Sequence, residues 1–110
     1  MRNQSLLKVL LVAALGFTAQ AAFADGQADG AILAEKGGCL MCHTVDKRKV
    51  GPALKDVSAA YKNQADAEDY LVNKIKNGGR GKWGVLPMPP NAGKLTDDEF
   101  REVVRWIRSM

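Results

Sequence analysis

The pentapeptide Cys39-Leu40-Met41-Cys42-His43 constrains this chain more than any other feature, because it holds both cysteines and the only histidine. Two thiols two residues apart have several possible uses. A redox-active dithiol belongs in a strand–helix–strand setting, and no such alternation of patterns follows it. A structural zinc site needs four ligands. Two Cys and one His make three, with no further Cys or His to complete the set. A disulfide between them would close too small a loop to restrain the unfolded chain. The remaining reading is C-x-x-C-H, the spacing of c-type haem attachment. Cys39 and Cys42 would reach two vinyl groups on one side of a macrocycle, and His43 would offer a neutral imidazole nitrogen to the iron.

The start of the chain reads as an export leader. Arg2 and Lys8 give it positive charge, Leu6 to Phe17 is almost wholly apolar, and Ala22-Phe23-Ala24 has the small-residue pattern of a cleavage site. The apolar run is about 12 residues, short of the roughly 20 that span a bilayer. The expected division is therefore a removed leader, 1–24, and a single domain, 25–110. That leaves 86 residues, 110 less 24. So short a chain buries a limited core and commonly needs a staple, a role that a covalent haem would fill.

Helix signals dominate the rest. Ala28 to Lys36 reads as a first helix stopped by Gly37-Gly38, and Leu54 to Tyr61 as a second, with Leu54, Val57 and Tyr61 at helical spacing. Asp66 to Asn77 reads as a third, with Asp66 as N-cap, Leu71 and Ile75 four apart, and Gly78-Gly79 as its stop. Thr96-Asp97-Asp98-Glu99 is a capping box, and Phe100, Val103, Val104 and Ile107 form an apolar stripe behind it. Between the last two helices, Gly79 to Lys94 carries so many Gly and Pro that no regular element is expected. Its Trp83, Val85, Leu86 and Met88 suggest a loop packed onto something.

A six-coordinate iron needs a second ligand, and without a second His the natural candidate is Met. The chain has four. Met1 leaves with the leader, Met41 is tied to the attachment side, and Met110 is terminal and expected to fray. Met88 remains, in the stiff stretch Leu86-Pro87-Met88-Pro89-Pro90. The expected metal ligands are thus His43 and Met88.

Together these residues resemble the class I monohaem cytochromes c of the short bacterial type, which serve as periplasmic electron donors to nitrite reductases and terminal oxidases. The resemblance runs from about Ala31 to Met110. It rests on Gly37-Gly38-Cys39, Cys42-His43, Val50-Gly51-Pro52-Ala53, Ile75-Lys76-Asn77-Gly78, Trp83-Gly84, Pro87-Met88-Pro89-Pro90-Asn91 and a last helix carrying Trp106. It implies an all-α fold, with four to five helices around one covalent haem c and the first and last helices packed together. It also implies roles beyond the motif. The Pro52 carbonyl would accept from the other ring nitrogen of His43, Asn91 would donate to the Met88 sulfur, and the Trp83 indole N–H would bond a haem propionate. Relatives often carry Arg where this chain has Lys74, so a propionate contact there is not carried over.

The implied function is one-electron transfer by a monomeric, non-enzymatic periplasmic carrier. The alternatives are a haem subunit of a larger oxidoreductase, or a ligand-binding haem protein with an open sixth position. Charge bears on partners. Without Arg2 and Lys8 the chain has 14 basic and 12 acidic residues, too mild a balance for nucleic acid. From His43 to Lys94, however, ten Lys/Arg face five Asp/Glu, while acids collect at Asp97, Asp98, Glu99 and Glu102. An acidic redox partner docking near Lys47-Arg48-Lys49 is the expectation, with no stable membrane insertion once the leader is gone.

Overall fold

A computed structural model describes residues 22–110 and Gly16, with side chains described from Asp29 onward. The leader assigned to 1–24 therefore lies almost entirely outside the described residues. Among the described residues there are four α-helices, one 3-10 turn and a small hairpin. They are α1 (Ala22–Lys36), a 3-10 turn (Cys39–Met41), α2 (Leu54–Tyr61), α3 (Ala67–Asn77), β1 (Gly79–Gly81), β2 (Gly84–Met88) and α4 (Asp97–Arg108).

Helix α1 begins six residues before the expected Ala28, because Gly26 weakens a helix without stopping it. It ends where Gly38 enters the left-handed region at φ 77°, which turns the chain into the cysteine segment. Helix α2 has the expected bounds. Asp66 stands at the N-cap of α3, but its side chain makes no capping bond. The capping box of α4 is complete: the Glu99 N–H donates to Thr96 Oγ1 at 3.2 Å, and the Thr96 N–H donates to Glu99 Oε2 at 2.9 Å. The other carboxylate oxygen of Glu99 meets Lys36 Nζ at 3.1 Å, so the cap also ties α4 to the end of α1.

The stretch expected to be irregular instead forms an antiparallel ribbon, with Gly79 opposite Met88 and Gly81 opposite Gly84. The breakers permit it. Gly79 and Gly84 accept φ values of 104° and 127° around the reversal at Lys82-Trp83. Pro87 costs no interior ladder bond, because each strand of a two-stranded ribbon is an edge.

Helix α4 organises the core. Phe100, Val103 and Val104 are almost fully buried, and Leu54, Val57, Tyr61, Leu71, Val72 and Ile75 gather around them. Helix α1 crosses α4 at Gly30, where a Cβ would stand 2.3 Å from Trp106 Cβ and 2.9 Å from the Glu102 carbonyl. Only a bare residue lets the two backbones approach so closely. The first and last helices therefore pack together as the resemblance implied. Across the other side of α4, Arg101 and Arg105 reach Glu68 of α3 at 3.3 and 3.2 Å. Met110 is half-buried rather than frayed, because its carbonyl accepts from Ser58 Oγ at 3.2 Å and its side chain packs on the core.

Candidate functional site

The attachment motif begins on the three-residue 3-10 turn, Cys39–Met41. Within it the N–H groups of Cys42 and His43 both donate to the Cys39 carbonyl, at 3.2 and 3.0 Å, which curls the segment so that His43 follows directly from the turn. The next ten residues fold back over the histidine. The Gly51 N–H donates to the Cys42 carbonyl at 2.8 Å, and Leu54 N–H to the Thr44 carbonyl at 2.9 Å. This return brings the Pro52 carbonyl to 2.8 Å from His43 Nδ1. A carbonyl can only accept, so Nδ1 carries the proton and Nε2 is left with its lone pair for another partner. Gly51 shares in the arrangement, because a Cβ there would lie 2.5 Å from His43 Cε1 and 2.9 Å from Nδ1. The ring is thus held by one hydrogen bond and one bare backbone position.

His43 opens onto a largely apolar cleft that is open to solvent at its mouth. Cys39, Cys42 and Pro52 line one part of it, Leu54, Leu71, Ile75, Val103 and Ile107 its apolar floor, and Trp83, Leu86 and Met88 the hairpin side. Met88 is the only methionine among these lining residues, since Met41 is turned outward at 74% exposure. The contents suit a large planar apolar ligand anchored by two thioethers: two half-buried free thiols, an imidazole with an available nitrogen, a thioether on the hairpin, and hydrocarbon between. Burial pushes the Cys39 thiol above its ordinary value of 9.0.

The hairpin that bears Met88 is pinned to the C-terminal end of α3. At Gly78, φ is 65°, and a Cβ would fall 2.3 Å from the Met88 carbonyl. Asn91 spends its amide on this junction. Its Nδ2 donates to the carbonyls of Ile75 at 3.2 Å and Pro89 at 2.9 Å, while its Oδ1 accepts from Lys94 Nζ at 2.9 Å. Both amide hydrogens therefore go to backbone oxygens rather than to the Met88 sulfur. The Asn91 amide adds to the closure of the carbonyl end of α3, where the Gly78, Asn91 and Ala92 N–H groups also donate to the carbonyls of Lys74, Ile75 and Lys76, a need of every helix terminus.

Trp83 lies half-buried at the hairpin turn. Lys82 beside it places Nζ 4.3 Å from the centre of the Tyr61 ring. Tyr61 in turn stacks at 5.3 Å on Tyr70, and its phenol is held above the ordinary 10.0 by burial and by that neighbour. Lys74 Nζ donates to the Arg80 carbonyl at 2.7 Å, and Arg48 Nη2 to the Trp83 carbonyl at 2.7 Å. The contributions of Arg48, Tyr61 and Lys82 to this wall were not legible beforehand, since they depend on where a loop of unknown path returns. Val103 and Ile107 were visible as a helical stripe, but nothing in the stripe told cleft lining from ordinary core.

A helical shell with a two-thiol, one-imidazole motif at the edge of a deep apolar cleft defines a c-type haem protein. Comparison with known proteins agrees. The cytochrome c family model matches residues 27–110, and the chain belongs to that family. It is 43% identical to cytochrome c-551 of Pseudomonas aeruginosa over 109 residues, 99% of this chain and 98% of that one. It is 46% identical to cytochrome c-552 of Hydrogenobacter thermophilus over 103 residues, 94% of this chain and 97% of that one. The crystal structure of Nitrosomonas europaea cytochrome c552 superposes with a TM-score of 0.68 at 46% identity, covering 72% of this chain and 96% of that one. As a member of this family the chain carries one covalent haem c and transfers electrons.

Proposed function

We propose that the chain is a soluble periplasmic one-electron carrier whose haem is bonded to Cys39 and Cys42 and whose iron is held by His43 and Met88. One observation carries the reading: a single apolar cleft is lined both by His43, oriented by the 2.8 Å bond to Pro52, and by Met88, on a hairpin anchored at Gly78 and Asn91. When bound there, haem supplies the Fe(III)/Fe(II) couple. The chain's part would be to supply His43 and Met88, to orient them and to keep them dry, which would tune the potential. With His43 and Met88 both holding the iron, no substrate would bind there, and the protein would not be an enzyme. The leader, 1–24, would deliver the chain to the periplasm, and residues 25–110 would be the working domain.

The docking face is the mouth of the cleft. Val50, Val85 and Leu86 stand 51%, 84% and 66% exposed there and on the hairpin beside it, with Lys47, Lys49, Arg80 and Lys82 also exposed. The acids of α4 are largely engaged elsewhere: Asp97 with Lys76 at 2.8 Å, Glu99 with Lys36 at 3.1 Å and Glu102 with Arg105 at 3.0 Å. An apolar patch with a basic rim suits a brief encounter with an acidic redox partner, met by a monomer.

Carbon monoxide added to the reduced protein tests the reading. A carrier with both positions filled leaves the spectrum unchanged. Prompt formation of a carbon monoxide adduct would make the chain a ligand-binding haem protein instead.

A further inference from the structure

Two cations of the helical body reach across to the hairpin, and each ends on one of its carbonyls. Lys74, from α3, donates to Arg80 in β1 at 2.7 Å. Arg48, from the loop after the attachment motif, donates to Trp83 in the turn at 2.7 Å. Glycines line both contacts. A Cβ at Gly79 or Gly81 would be 3.6 or 3.7 Å from Lys74 Nζ, and one at Gly84 would be 3.1 Å from Arg48 Nη2. With no side chains in the way, the cations lie against the ribbon's backbone. These two carbonyls belong to a two-stranded ribbon whose own ladder is short, and such a ribbon is marginal by itself. Both cations also line the cleft that Met88 lines.

We propose that Arg48 and Lys74 are clasps that hold the Met88 hairpin closed over the cleft, and so set how readily an outside ligand reaches the iron. They act as positioning residues. Neither is proposed to touch the iron; each restrains the strand or turn that precedes Met88. The proposal rests on the reading of Met88 as the sixth ligand. Losing one exposed charge-assisted hydrogen bond should raise the open population of the hairpin about fivefold, and losing both about 25-fold, because the two act on one opening.

The test uses the haem-loaded oxidised protein, with Arg48→Gln, Lys74→Met, the double variant, and Lys74→Arg as the conservative rescue. Two quantities are read: the opening-limited rate of imidazole binding, and amide hydrogen exchange in residues 79–88 against that in α4. The clasps predict that imidazole entry and hairpin exchange rise together by these factors, that α4 exchange stays at the wild-type rate, and that Lys74→Arg restores slow entry. Wild-type rates in both single variants would overturn the proposal. So would an equal rise of exchange in α4, which would mean general loosening. If the oxidised wild type lacks the sulfur-to-iron charge-transfer band, the Met88 assignment fails separately. Hairpin exchange in the same variants would then still decide for or against the clasps.

Discussion

Replacing Gly51 by Ala is expected to disturb the histidine side of the cleft more than its small size suggests. The added Cβ would stand 2.5 Å from His43 Cε1 and 2.9 Å from Nδ1, against an ordinary carbon contact of about 3.5–4.0 Å. Ring or loop must give by roughly 1 Å. The ring is the poorer candidate to move, because a 1 Å retreat along its bond to Pro52 would take the 2.8 Å contact out of hydrogen-bond range. The loop is held as well, by the 2.8 Å bond from Gly51 to the Cys42 carbonyl. Overpacking of this kind costs about 1–3 kcal/mol, and a weakened hydrogen bond adds about 0.5–1.5 kcal/mol. The sum, about 1.5–4.5 kcal/mol, is a large part of a small domain's stability and corresponds to a fall in Tm of about 6–36 °C. The potential should move as well. The Pro52 bond makes the imidazole a better donor and so favours Fe(III), and weakening it should raise the potential. Thermal unfolding followed at the haem band, with a redox titration of the same sample, measures both. A Gly51→Ala protein with wild-type Tm and wild-type potential would refute the claim that this approach positions His43.

Four further outcomes follow from the same structure. Met88→Ala should abolish the sulfur-to-iron charge-transfer band, lower the potential and admit carbon monoxide to the reduced form; an unchanged band would mean another residue is the ligand. Thr96→Ala should cost about 1 kcal/mol in denaturant unfolding at neutral pH. Glu99 is held below its ordinary 4.5 by the Thr96 N–H and by Lys36, so its stabilising share is present above that value and lost as pH falls through the depressed one; Glu99→Gln should flatten the acid side of the stability curve between those two values. Electron transfer to an acidic partner should slow as salt is added, and reversing Lys47 and Lys49 together, with Arg48 left in place, should slow it further and flatten the salt dependence.

The parts of the fold that could be read from sequence are those written in local chemistry. The Thr96–Glu99 box and the stripe behind it require only neighbours within one or two turns, and α4 follows them closely. The attachment motif is equally local. The hairpin was not legible, because Gly and Pro read as breakers wherever they occur. Their use here depends on Lys74, Arg48 and the end of α3 lying alongside, which is long-range information. Asn91 illustrates the same limit. Its place next to the Met88 segment was evident, but whether its amide would turn to a sulfur or to the carbonyl end of α3 was decided by the return of the chain. Met110 looked free for the parallel reason that Ser58, its partner, lies 52 positions earlier.

A redox titration of the wild-type protein, followed at the sulfur-to-iron charge-transfer band, tests the central claim most directly. A carrier whose iron is held by His43 and Met88 should show the band when oxidised and lose it in a single reversible one-electron wave on reduction. An oxidised protein without the band, or with a band that does not follow the iron's titration, would contradict the account.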